Sequence, residues 1–428
     1  MPKRMLKSVL ASAAVALLGA CSTPMPCDPT GGLCAPIQSN TSGAAPGSRA
    51  ADAVAPLPRP ATAPAVAPAP AASVQTLPVE SPDTPAPAAA VNRAPVRVAL
   101  LLPSRSEALR APAAALRAGF MAAHERDHNG VTVNLIETTD DTDETLTAYM
   151  AAKRDNDIIV GPLSRSGVGV IAASGTVTKP TIALNHPDGR GVDNPIPPNM
   201  LVIGLSIEDE ARQVAQWAAA EHPGAPALAV SGNSSWQRRL AAAFSAQWKQ
   251  LGYPVQQAEL TASNGYLSEP AIYQLKTRVE TEQPAFMFTA LDADQVRQLR
   301  AVLGVELPAY GASSVNPGAA LGNALPELDG MRLLDLPWQI QADHPAVMSY
   351  PRYPSAGRTP DLDRLYALGI DAYRITMELA GKPATSFRLD GVTGRLAVNF
   401  GKGPAQFERV EQGAVYQGGN FKLLDKKK

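Results

Sequence analysis

The residues with the makings of a metal site lie together at His124-Glu125-Arg126-Asp127-His128, an H-E-x-x-H arrangement. On a helix, histidines at i and i+4 share a face and can hold one zinc ion while the glutamate acts as general base. Asn129-Gly130, a helix-stop signal, follows at once, so His128 is expected in a fraying last turn, and no later His or Glu spacing marks a third ligand. A solvated helix end is the expectation, with no metal, and a zinc hydrolase is the remote alternative. A second pattern, Gly167-Val168-Gly169-Val170-Ile171-Ala172, fits the dinucleotide fingerprint G-x-G-x-x-A. Pro162 to Ser166 separate it from Gly161 at a strand end, whereas the fingerprint needs a tight strand-to-helix turn. No G-x-S-x-G elbow occurs, and only 5 histidines are available as general bases. These patterns amount to no catalytic constellation: the expectation is a non-enzymatic chain with no cofactor.

A different use of polar groups lies in three loops. Ser164, Arg165 and Ser166 sit after one apolar run and before a helical pattern, Ser104 and Arg105 follow another run, and Asn185 and His186 follow a third. In an open α/β sheet such loops face the crevice at the carboxyl ends of the strands, where hydroxyls and helix N-terminal amides can hold an anion. Ser104, Arg105, Ser164, Ser166 and Asn185 are thus candidate cleft residues for a small ligand. The competing and favoured reading is that Ser166 caps a helix and Asn185 starts a turn before Pro187, with no evident acidic partner for an ammonium group.

The elements that would position these loops are legible. Val96 to Leu102 is nearly all Val, Ala and Leu, and Leu109, Ala113, Leu116 and Phe120 follow at helical spacing. Strand-like runs recur at Asp157 to Val160, Thr181 to Leu184, Met200 to Leu205, Ala227 to Val230, Ala285 to Leu291 and Pro308 to Ser313. Helical stretches such as Glu208 to Glu221, Trp236 to Leu251 and Asp292 to Leu303 fall between several of them. Continuous apolar strands alternating with helices imply parallel sheets covered on both faces, here more strands than one compact sheet usually carries. Two α/β lobes are expected.

Composition narrows the functions. Among 428 residues, 38 Lys and Arg oppose 39 Asp and Glu, leaving a formal charge of −1 and no field to attract nucleic acid. The 3 cysteines, Cys21, Cys27 and Cys34, all lie near the start, which excludes a disulfide-stapled or Cys-metal body. Lys3, Arg4 and Lys7, the apolar run Val9 to Leu18 and small Gly19-Ala20 form an export signal over residues 1–20, with a run too short to span a bilayer. Residues 35–95 hold thirteen prolines and no apolar period, so residues 21–95 are expected to be an extended tether. Cys27 and Cys34 could close a disulfide or remain thiols. Lys426 to Lys428 read as a solvated tail, and Trp338 either packs near a lobe crossing or anchors a partner.

Particular stretches carry a family likeness. Leu18-Gly19-Ala20-Cys21 resembles the lipobox of bacterial lipoproteins, which implies cleavage before Cys21 and lipid on that residue; Ser22 resembles an outer-membrane address. Val98-Ala99-Leu100-Leu101-Leu102-Pro103, Leu116-Arg117-Ala118-Gly119-Phe120 and Ile158-Ile159-Val160-Gly161-Pro162-Leu163 resemble the opening of type I periplasmic binding proteins. With Leu328-Asp329-Gly330-Met331, Leu336-Pro337-Trp338, Leu368-Gly369-Ile370-Asp371-Ala372-Tyr373 and Leu389-Asp390-Gly391-Val392-Thr393-Gly394-Arg395-Leu396, the ordered set is similar to the C-terminal domain of LppC-type lipoproteins, also called penicillin-binding protein activators. The likeness covers roughly residues 96–425. It implies a two-lobed type I periplasmic-binding-protein-like fold with three hinge crossings, each lobe a mainly parallel sheet flanked by helices. Lobe 1 would comprise about 96–206 and 332–385, and lobe 2 about 207–331 and 386–425. It also implies an outer-membrane lipoprotein, facing the periplasm, that binds and activates a bifunctional peptidoglycan synthase. The best-known member carries a helical-repeat domain where this chain has the Pro/Ala segment. The alternative is a lipid-tethered solute-binding protein for an amino acid or similar small molecule.

Overall fold

Val96–Leu102 (β1) is apolar because both of its faces are covered, and its last five residues are wholly excluded from solvent. Val98, Leu100 and Leu102 point into one core, with Leu116 and Phe120, and Ala99 and Leu101 into a second, with Tyr149, Val168 and Ile171. The computed structural model describes residues 95–424 except 129, 189–194, 319–324, 355–358 and 383. Residues 1–20, expected to be an export signal, Cys21, expected to carry lipid, Cys27, Cys34, the segment expected to form a tether and the terminal lysines lie outside the described residues.

The first lobe continues through α1 (Arg110–Arg126), β2 (Val131–Glu137), α2 (Thr142–Asp155), β3 (Ile158–Val160), α3 (Arg165–Ala173), β4 (Thr181–Ala183) and β5 (Met200–Val202). Its five strands are all parallel in the order β2-β1-β3-β4-β5, with Val98 opposite both Val133 and Ile158.

The second lobe contains α4 (Ile207–Glu221), β6 (Ala227–Gly232), α5 (Ser235–Gln250), β7 (Val255–Leu260), the small hairpin β8 (Ala262–Ser263) and β9 (Tyr266–Leu267), α6 (Glu269–Glu282), β10 (Phe286–Ala290), α7 (Ala293–Leu303), β11 (Ala309–Gly311) and β12 (Arg332–Asp335). The chain then runs through α8 (Pro337–Ile340), α9 (Pro345–Met348), α10 (Pro360–Leu379), β13 (Thr385–Asp390), β14 (Arg395–Phe400), β15 (Gln406–Val410), β16 (Gln412–Gln417) and β17 (Asn420–Leu423). The second sheet has seven strands, β17-β16-β12-β11-β10-β6-β7, parallel from β7 to β12 and antiparallel at β16 and β17. Alternate residues of β6 and β10 feed its two cores: Leu228, Val230 and Met287 pack with α6 and α7, and Ala227, Phe286 and Phe288 with α4 and α5.

The expected two-lobed architecture is present, but the division at residues 332 and 386 shifts. β12 pairs with β11, Tyr310 opposite Arg332, so the second crossing comes after Asp335. Residues 386–410, expected in lobe 2, form with Thr385 a separate antiparallel sheet, β13-β14-β15, whose Leu396, Val398 and Phe400 join the first lobe's core. Only β16 and β17 return to the second sheet. An alternating strand that covers a neighbouring core cannot be assigned a lobe from its own sequence.

Helix α10 returns to the first lobe and packs along α1. Thr359 caps it by accepting from Leu362 N, Pro360 occupies its first turn, and Asp361 and Asp363 favour its positive end. The two helices touch backbone to backbone: a Cβ on Gly119 would lie 1.9 Å from Tyr366 O, and one on Gly369 2.1 Å from Leu116 O. Neither site has room for a methyl group. Gly369→Ala is expected to destabilise the fold by about 2–3 kcal/mol, as overpacking at a rigid contact does. Urea unfolding of the variant against the parent chain measures it, and an unchanged midpoint would contradict the close approach.

Candidate functional site

At the carboxyl ends of the first sheet, three of the five candidate cleft residues, Arg105, Ser164 and Asn185, are engaged locally. Ser164 Oγ accepts from Gly167 N at 3.1 Å and is the N-cap of α3, so the cap is Ser164, whereas Ser166 is helical and exposed. Arg105 pairs with Glu144 and also donates to Glu137 O at 3.3 Å. Asn185 Nδ2 donates to Leu163 O at 2.9 Å while its Oδ1 accepts from His186 N, which fixes the turn before Pro187. Arg165 is bonded to Asp188 at 2.6 Å. Ser104 stands apart from these groups, lining a shallow groove beside α1 with Arg110, Arg117 and Glu125. Gly161, at the head of the Gly-Pro-Leu motif, has φ +121° and a Cβ there would lie 2.1 Å from Leu101 O, so that motif records backbone geometry.

The facing ends of the second sheet are closed in the same way. Ser234 N and Oγ both donate to Gln237 Oε1, Asp292 Oδ1 accepts from Gln295 N at 2.9 Å, and Gln237 Nε2 donates to Gln295 Oε1. The N-termini of α5 and α7, where an anion would dock, are thereby linked to each other.

The charged groups that the sequence reading missed lie where the chain crosses between lobes. Asp335, fully buried at the end of β12, accepts from Arg364 Nε at 3.1 Å and NH2 at 2.7 Å, from Asn316 Nδ2 at 2.7 Å and from Leu336 N at 2.7 Å. Arg364 also donates to Ser313 O at 2.8 Å, and Ser313 N donates to Glu210 Oε2 at 2.9 Å. At the first and third crossings, Arg409 donates to Ile203 O at 2.8 Å, Gly204 O at 3.1 Å and Thr393 Oγ1 at 3.1 Å. Thr393 in turn donates to Asp371, which also accepts from Val392 N and Arg374. The family motifs around Trp338, Asp371 and Asp390 to Leu396 therefore build the crossings. Asp371, inside an apolar helix, is the one signal that a buried partner must exist; its partners lie too far along the chain to be read from spacing.

The remaining sequence patterns resolve locally. α1 ends at Arg126, so His128 lies beyond the helix and exposed, and His124 packs edge-on against Tyr373 at 5.5 Å between ring centroids. The run from Gly167 to Ala172 lies inside α3 and forms no phosphate-binding turn. Trp338 is buried under the Arg352 guanidinium, 4.4 Å from the ring centroid, so it packs at the second crossing and cannot serve as an exposed anchor.

Removing one half of the Arg364–Asp335 pair leaves a buried charge uncompensated. Arg364→Met is expected to destabilise the chain by about 3–5 kcal/mol, and adding Asp335→Leu to recover most of that loss. Chemical denaturation of the single and double variants tests this; additive losses would refute the pairing.

The family described as "LppC putative lipoprotein" matches residues 89–409. A Penicillin-binding protein activator LpoA from Mannheimia succiniciproducens is 30% identical over 292 residues, covering 65% of this chain and 47% of that protein. Its namesake from Photobacterium profundum is 26% identical over 320 residues, covering 67% and 50%. The chain thus spans about half the length of these curated relatives. Among solved structures, a "putative branched-chain amino acid ABC transporter" from Chromobacterium violaceum ATCC 12472 superposes with a TM-score of 0.61 at 35% identity, covering 75% of this chain and 99% of that one. The C-domain of LpoA from Haemophilus influenzae, described as a regulator of PBP1A, gives 0.61 at 21% identity, covering 77% and 100%, which bears on the fold alone. The match over residues 89–409, nearly the whole of the two-lobed body, places this chain in the LppC lipoprotein family.

Proposed function

We propose that this chain binds and activates a bifunctional peptidoglycan synthase of the penicillin-binding protein class, acting through its folded surface and catalysing no reaction itself. The observation that carries this reading is the family match across the whole two-lobed body, including the segments that build the crossings. Relatives named as penicillin-binding protein activators support it, and so do cleft loops whose polar groups are engaged with their own neighbours. In this reading, residues 1–20 are cleaved, Cys21 carries the lipid, residues 21–95 form the tether, and the body faces the periplasm from the outer membrane. It needs no cofactor and takes no nucleic acid.

The second reading, a lipid-tethered solute-binding protein for an amino acid, rests on the 35% identity to the Chromobacterium violaceum protein. It requires Ser104, Arg105, Ser164, Ser166 and Asn185 to turn toward a ligand, and Arg105, Ser164 and Asn185 to abandon their present bonds.

Adding the purified folded body to bifunctional synthases of the same cell is expected to raise glycan polymerisation or cross-linking rates. No effect on any of them would refute activation. The tether offers an independent check: 74 residues separate Cys21 from Val96, spanning roughly 50 Å as a random coil and up to roughly 200 Å in polyproline form. Shuffling residues 35–95 is expected to preserve function in cells, whereas deleting most of them abolishes it and spares binding in solution. A short-tether variant that functions normally from the outer membrane would overturn the reach requirement.

A further inference from the structure

The lobe crossings enclose more carboxylates than guanidiniums can satisfy. Glu210 in the first turn of α4, Asp335 after β12, Asp371 on α10 and Glu411 between β15 and β16 are all buried, none more than 4% exposed. Arg364 and Arg374 are committed to Asp335 and Asp371. Arg409 has its donors on Ile203 O, Gly204 O and Thr393 Oγ1. Among the described residues, that leaves Glu210 with only Ser313 as hydrogen-bond donor, and Glu411 Oε2 accepts nothing. A carboxylate taken out of water without a donor is held more favourably as the neutral acid.

We propose that Glu411 and Glu210 together retain a proton in the folded chain, and that its release loosens the three crossings, making the junction between the lobes a proton-gated hinge. The location carries the consequence. Glu411 lies between β15 and β16, where the chain passes to the second sheet, Glu411 N donates to Gln213 Oε1 on α4 at 3.1 Å, and Glu210 is tied through Ser313 to Arg364 and Asp335 at the second crossing. A second negative charge inside this ring repels Asp335 and competes for Arg364 and Arg409, the two cations that staple the crossings together.

The electrostatics agree in direction. Burial pushes the Glu210 carboxyl up to about 7, against Ser313 and Arg364, which lower it, while Asp335 raises it further. Burial also lifts Glu411 well above the ordinary carboxylate range; Glu210 and Asp335 raise it further, and Arg409 and Arg364 oppose them. The other charged groups around them are Asp371 and Asp209, which face Arg409, Asp361, which pairs with Arg364, and Arg212 and His186, which face Asp209. A carboxyl whose folded-state pKa is raised stays protonated after the unfolded chain has released its proton. Its contribution is therefore complete below the unfolded value of 4.5 and is lost as pH rises through about 7.

Hydrogen exchange of the full chain at pH 5.5 and 8.5, corrected for intrinsic rates, tests the hinge on peptides spanning 203–206, 335–337 and 410–412. In the parent chain these peptides are expected to exchange at least threefold faster at pH 8.5. In Glu411→Gln or Glu210→Gln, which keep the shape and remove the charge, that difference is expected to shrink below twofold. Crossing peptides that ignore pH in the parent, or an undiminished difference in both variants, would overturn the hinge. Should neither variant fold, an infrared carboxylic-acid band in the parent at pH 5.5 that fades by pH 8.5 supports it, and absence of that band overturns it.

Discussion

The pair formed by Arg364 and Asp335 is the constraint around which the two lobes are arranged. Both groups are removed from water at a point where the chain passes from the second sheet toward the first lobe's helices. Such a pair adds little net stability over a well-packed apolar pair, because desolvation offsets most of the attraction. What it does supply is position. In the observed placement of α10 against β12, Arg364 serves both oxygens of Asp335 and the carbonyl of Ser313 at once. The α1–α10 contact at Gly119 and Gly369 sets the height at which Arg364 arrives, and the Arg409 bonds to Ile203 and Gly204 close the other two crossings against the same ring.

That arrangement bears on function. In a protein that closes on a solute, polar groups at the strand ends have to be available to a ligand; here Ser164, Arg105 and Asn185 serve helix caps and turns, and the helix ends across the cleft bond to each other. The most specific motifs of the chain mark backbone turns and lobe crossings. A body whose distinctive residues are architectural is suited to presenting a surface to a partner, as the proposed activator role requires.

Much of the fold was legible because parallel α/β sheets announce themselves. β1, β3, β4, β5, β10 and β11 fall within the apolar runs, β6 runs two residues past its own, and α4, α5 and α7 match the periodic stretches to within a residue. The sheet of β13, β14 and β15 packs on the first lobe, against expectation, since its alternation shows which residues are inward and not which core they enter. Ser164 rather than Ser166 caps α3 because two serines two residues apart are equivalent until the helix start is fixed. The crossing network was invisible for a different reason: Arg409 and Gly204 are 205 positions apart, and nothing local pairs them.

The most direct test sets the two binding modes against each other on one sample. Calorimetric titration of the purified body with a bifunctional synthase, alongside thermal shift with an amino-acid panel, separates a surface from a cleft. Saturable heat with the synthase and unchanged melting with every amino acid is the expected result. An amino acid at a hundred times its dissociation constant that stabilises the fold by about 2.7 kcal/mol, with no synthase binding, would contradict it.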